Sequence, residues 1–156
     1  MVGIGPILEA NALIWHKVLQ PKHRFILWLA AQRRLLTRRG LISMGLDCDS
    51  DECVLCDMQH PEDSKHLFLD CPWAVEVWNA VSDWTRIQLP HLDIHEALHM
   101  IKHKNWTSFK KEIATAVIEA LVYNIWTTRN WKFFRGQTVN INFVVQQMKI
   151  IIRERL

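Results

Sequence analysis

The stretch CVLCDMQHPEDSKHLFLDC, residues 53–71, constrains this chain more than any other. Its spacing is Cys53-x2-Cys56-x9-His66-x4-Cys71. A C-x2-C knuckle sets two thiolates on one tight turn, two corners of a tetrahedron, and the returning loop supplies an imidazole and a third thiolate. Zn2+ takes such donors at about 2.3 Å from sulfur and about 2.0–2.1 Å from nitrogen. Four protein ligands leave no open position for water, so the expected centre is structural and not catalytic. Cys48 and His60 compete for the fourth position. His66 has the better case, because Leu67 and Phe68 beside it would fix its ring by packing. A redox pair at Cys53 and Cys56 would want a βαβ context that the sequence lacks.

The loop around these residues explains why an ion is needed. Residues 46–65 have neither helical nor strand periodicity and are rich in turn formers, so they can bury no apolar face of their own. Zinc binding contributes roughly 10–16 kcal/mol in isolated finger peptides. That matches or exceeds the whole stability of a typical domain, about 5–15 kcal/mol, so the loop is expected to depend on its metal.

The remainder reads as helix. Leu8, Ala12, Trp15 and Leu19 form a stripe over 7–19, which Pro21 ends. A second helix is expected from Lys22 to about Leu35, with Phe25, Trp28, Leu29 and Leu36 inward. Thr37 suits the N-cap of a short helix ending near Gly40 or Gly45. Pro72 opens another, with Ala74, Val77, Trp78, Val81 and Trp84 facing in. Asp93 and Glu96 make a capping box for a helix to about Lys104. Thr107 or Ser108 caps the longest helix, which runs to Arg135 with Gly136 as its stop. Ile141–Arg155 is the last, with Val144, Met148, Ile151 and Ile152 on one face. The fold class is therefore all-α, with an irregular zinc-ordered CCHC loop inserted between helices. Residues 1–90 are expected to form the zinc-binding domain and 91–156 a helical extension packed on it.

Charge is segregated. Residues 1–45 hold seven Lys/Arg against Glu9 alone, residues 46–100 two basic and twelve acidic, and residues 101–156 ten basic and three acidic. Either the basic ends fold back on the acidic middle, or they contact a polyanion. The best polyanion face is Lys22, Arg24, Arg33, Arg34, Arg38 and Arg39; Lys102, Lys104, Lys110 and Lys111 form a second group. Asp47, Asp49, Asp51, Glu52 and Asp57 crowd the knuckle and would repel phosphate. Trp15, Trp28, Trp78 and Trp84 fall on inward stripes, whereas Trp131, Phe133 and Phe134 beside Arg129, Lys132 and Arg135 suit an exposed patch for a partner. His91, His95, His99 and His103 recur every four residues on one helical face, a row that could bind metal or sense pH but is read as polar surface, because acidic partners at the right spacing are lacking.

The start of the chain lacks a signal-peptide pattern, and IATAVIEALVYNIWTT is short and interrupted by Glu119 and Asn124, a buried helix and not a membrane span. Four cysteines without a secretory signal point to a reducing, intracellular compartment. No phosphate loop and no nucleophile context occur, so a non-enzyme is expected.

At this point the pattern resembles the reverse transcriptase zinc-binding domain of plant LINE-type retrotransposons. The residues that carry the likeness are Trp15, Pro21-Lys22, Phe25-x-x-Trp28, Leu36-Thr37, Leu41, Cys53-x2-Cys56, Asp63-Ser64-x-His66-Leu67-Phe68-x-x-Cys71 and Ala74-x-x-Val77-Trp78. Ile125-Trp126-x-x-Arg129-Asn130-x-x-x-Phe134 is similar to the segment that follows that domain in those polyproteins. The resemblance implies a zinc-stabilised module, here a detached fragment, assisting engagement of RNA or DNA. A different expectation is an interaction protein whose acidic finger and apolar C-terminal helices bind another protein.

Overall fold

The computed structural model describes residues 21–155. The stripe over 7–19 and Trp15 lie outside the described residues. Those residues form six α-helices and one π-helical turn. Strand structure among them is confined to an isolated bridge between Glu52 and Pro61, and the all-α class with an irregular loop between helices holds.

Helix α1 spans Pro21–Ala31 and stops short of Leu35. Arg33 takes a left-handed φ of 57°, and the Arg34 amide donates back to the Leu29 carbonyl at 2.8 Å, a closing turn that uses up the helix's last carbonyls. The inward residues also differ from expectation. Leu27, Ala30 and His23 are buried, Trp28 and Leu29 half-buried, and Phe25 and Leu36 exposed. A stripe drawn through Phe25 follows the larger side chains, whereas the buried face is set by what α1 lies against.

Helix α2, Arg38–Ser43, begins as expected, with the Thr37 hydroxyl accepting from the Gly40 amide at 3.1 Å. Helix α3, Pro72–Thr85, buries Ala74, Val77, Trp78 and Val81. Helix α4 spans Ile94–His103. Its capping box is absent: the Asp93 carboxylate makes no bond to the helix amides and instead accepts from Arg33 Nε at 3.2 Å. A charged partner from another segment outcompetes the local amide.

Helix α5, Ser108–Arg135, has the expected ends, a Thr107 cap on the Lys110 amide at 3.2 Å and Gly136 in a left-handed conformation at φ 65°. Helix α6, Ile141–Glu154, is capped by Asn140, a role the sequence reading did not assign.

Helix α5 is about 42 Å long by its rise and is the axis of the fold. Helices α1, α3, α4 and α6 and the π turn all pack on it, and α3 also packs on α6. Residues 114–122 are buried all round, which explains their continuous apolar character. No described helix is long and apolar enough to cross a membrane. Glu119 sits in that stretch fully buried. Arg155 Nη1 donates to its Oε1, and His23 Nδ1 lies 3.1 Å from the same oxygen. Buried charge needs such partners, and these join α1, α5 and the end of α6.

Candidate metal centre

Cys53 and Cys56 sit in the loop, which two backbone bonds fold over. The Cys53 amide donates to the His60 carbonyl and the Glu62 amide to the Asp51 carbonyl, both at 2.7 Å. His66 and Cys71 bracket the π-helical turn His66–Asp70. Residues five apart on an α-helix point about 140° apart at 3.6 residues per turn. The wider π turn, closed by the Cys71 amide on the His66 carbonyl at 2.7 Å, instead brings both side chains to one side. Asp63 Oδ1 accepts from the His66 amide at 2.7 Å and steadies the start of that turn.

The donor atoms of Cys53, Cys56, His66 and Cys71 all lie within 4.8 Å of one another. Cys53 Sγ is 3.9 Å from Cys71 Sγ, and Cys56 Sγ is 3.4 Å from His66 Nε2. Around a tetrahedral zinc the bond lengths require about 3.8 Å between sulfurs and about 3.5 Å between sulfur and nitrogen. The geometry fits. Cys48 stands apart, donating its thiol to the Ser50 carbonyl at 3.0 Å. His60 is exposed, its ring stacked at 5.3 Å from that of His66.

Electrostatics favours a cation here. A hydrogen bond with Cys71 holds the Cys53 thiol down to about 5, against the opposing effect of burial. The same contact, then burial, pushes Cys71 far above the usual thiol range. Burial raises Cys56, and the charge of Cys53 adds to it. One thiolate forms readily and the others resist, so a divalent ion is what would let all three ionise together.

Behind the cluster lies a polar anchor absent from the sequence reading. Glu62, fully buried, accepts from Arg129 Nη2 at 2.7 Å and Arg129 Nε at 2.9 Å, and from the Arg38 amide at 2.8 Å. Arg129 Nη1 donates to Asn130 Oδ1 at 2.8 Å and Nη2 to the Leu36 carbonyl at 3.3 Å. Its guanidinium lies against Trp126 at 4.8 Å and Phe133 at 4.5 Å. A visible signal was Arg129 itself, a charge with aromatics three positions before it and four after.

The expected basic face is divided by the structure. Lys22, Arg34 and Arg39 are exposed and Arg24 is half-buried. Arg33 is exposed but paired with Asp93. Arg38 is not on the surface: it is 7% exposed, with Nη1 donating to the Glu52 carbonyl at 3.0 Å and Nη2 to Asp49 Oδ1 at 2.7 Å. Basic and acidic segments therefore do meet within the fold, at the surface in Arg33–Asp93, at its edge in Arg38–Asp49 and in the core in Arg129–Glu62. Of the aromatic patch, Trp131 and Phe134 are exposed and Phe133 is half-buried.

Residues 5–78, a little under half of the chain, match the family described as zinc-binding in reverse transcriptase. No curated protein and no solved structure matches the chain.

Proposed function

Because residues 5–78 carry the reverse-transcriptase zinc-binding pattern, we propose that this chain is a non-catalytic zinc module derived from a plant LINE-type retrotransposon polyprotein, a detached fragment that assists nucleic-acid binding. Cys53, Cys56, His66 and Cys71 hold the Zn2+, and residues 1–90 form the zinc-binding unit with 91–156 as its extension. The observation that carries the reading is the convergence of four donors within 4.8 Å. Soft thiolates with one imidazole select zinc, and four protein ligands close the site to substrate. Such thiols stay available in a reducing compartment, intracellular by this reading.

RNA or DNA meets the basic side, where Lys22, Arg34 and Arg39 face solvent with Arg24 and Arg33 nearby in sequence. Arg38 works from inside, holding Asp49 and the Glu52 carbonyl. Contacts of this kind go to phosphate, so they are salt-dependent and weakly sequence-selective. The test is binding of RNA and of DNA at two salt concentrations. Affinity that falls steeply with salt supports the reading; no binding at low salt removes it.

A second reading has its own observation. Trp131, Phe134 and Phe143 are exposed, Phe134 at 72%, and Arg135 lies 3.9 Å over the Trp131 ring. Such a surface suits another protein. Loss of a partner on Phe134→Ser with zinc content unchanged would favour it.

A further inference from the structure

Residues 120–153 contain five basic residues, Arg129, Lys132, Arg135, Lys149 and Arg153, and no Asp or Glu. The stretch runs from the middle of α5 into α6. Arg129 is spent inside on Glu62, and Lys149 and Arg153 lie over the Trp84 ring. Lys132 and Arg135 are the charges of the last turn of α5.

Beside that turn, α5 and α6 enclose a cleft of about 320 Å³, near the small end of ligand clefts, which run about 300–1,000 Å³. Trp131, 41% exposed, and Phe143, 59% exposed, line it. Asn124, Thr127, Gln137 and Gln147 line it too, and none of its lining residues is charged. The Asn124 amide nitrogen donates to the Ala120 carbonyl at 2.7 Å, and the Thr127 hydroxyl to the Tyr123 carbonyl at 2.8 Å. Each still has an oxygen that can accept. Gln137 and Gln147 are exposed, and their amides can both donate and accept.

Arg135 follows Trp131 by one turn on the same face of α5, and its guanidinium lies 3.9 Å over that ring. Aromatic walls, neutral donors and acceptors, and a cation at the edge match the parts of a nucleotide: flat base, polar base edge and phosphate. The absence of carboxylates from 120–153 suits a polyanion. A partner helix would want a longer apolar groove, and Phe134, at 72% exposed, does not line the cleft.

We propose that the cleft between α5 and α6 takes one unpaired base of single-stranded nucleic acid, stacked against Trp131 and Phe143, with Arg135 on the neighbouring phosphate. This rests on the nucleic-acid reading and adds a base contact that Arg34 and Arg39 do not supply.

The test measures binding of the full zinc-loaded chain to a single-stranded oligoadenylate of about 12 nucleotides, and to an abasic strand of the same length. The oligoadenylate should bind about tenfold or more tighter. Trp131→Ala and Phe143→Ala should each remove most of that advantage, and Trp131→Tyr should keep it. Their salt slope should not change, because a base contact releases no counterions. Arg135→Gln should instead lower the slope by about one. Zinc content and affinity for the abasic strand report folding. Equal affinity for the two strands, or an advantage that survives Trp131→Ala and Phe143→Ala, overturns the cleft while phosphate binding by Arg34 and Arg39 stands. No binding of either strand at low salt removes the nucleic-acid reading and the cleft with it. A dimer that Phe143→Ala dissociates, with strand binding unmoved, gives the cleft to a second copy of the chain and also overturns the proposal.

Discussion

Glu62 and Arg129 stand 67 positions apart in the chain and meet at 2.7 Å, one fully buried and the other 1% exposed. The carboxylate also receives the first amide of α2, where a helix N-terminus favours negative charge. This pair ties the four-donor loop to the central helix. Its charges are tolerable because every polar nitrogen of Arg129 and both oxygens of Glu62 have partners.

Breaking that pair from one side leaves a buried charge unmatched. Arg129→Met should destabilise the protein by about 3–5 kcal/mol, and Glu62→Gln should also destabilise it. Chemical denaturation measures both, and a loss below 1 kcal/mol for Arg129→Met would contradict the role given to the pair.

Zinc should be present at one ion per chain and should follow four residues. Cys53→Ser and Cys71→Ser are expected to lose it, whereas Cys48→Ser and His60→Ala keep it, because those two side chains stand outside the cluster. Metal analysis of purified variants decides. Retention by Cys71→Ser with loss by Cys48→Ser would reassign the ligand set.

Chelation should release order locally before globally. Hydrogen exchange of residues 46–65 is expected to rise strongly on metal removal, while the amides of α5 between 114 and 122 stay protected by burial. Equal protection with and without metal would show that the loop does not need its ion.

The arginines should separate by burial. Arg34→Glu with Arg39→Glu is expected to weaken RNA binding and flatten its salt dependence with stability little changed, since both are exposed. Arg38→Glu should instead destabilise the loop, because Arg38 is buried against Asp49 and Glu52. Filter binding beside thermal melting distinguishes the two effects.

Two helix starts that look alike in sequence should behave differently. Thr107→Ala is expected to cost about 1 kcal/mol as the loss of a formed cap. Asp93→Ala removes only an exposed pair with Arg33, worth about 0–1 kcal/mol. Denaturation of the two variants compares them.

Much of the architecture was legible where the signals are local. Thr107 and Gly136 bound α5, Pro72 opens α3 and Thr37 caps α2, each acting on amides or carbonyls within four residues. Errors arose where a distant group intervened. Asp93 turned to Arg33, and α1 closed early at Arg33 and buried Leu27 where Phe25 was expected. The donor spacing was readable, but the π turn that brings His66 and Cys71 to one side has no periodic signature.

By itself the sequence determined the all-α class and the ends of the long helix, and it narrowed the donors to Cys53, Cys56 and Cys71 with His66 favoured over Cys48 and His60, because these depend on neighbours along the chain and on ligand chemistry. Only the tertiary structure decided which charges are surface and which are frame. Arg34 and Arg38 look equivalent in the chain, and so do Glu62 and Glu52. Burial separates them, since a charge withdrawn from water persists only where the fold delivers a partner from far away.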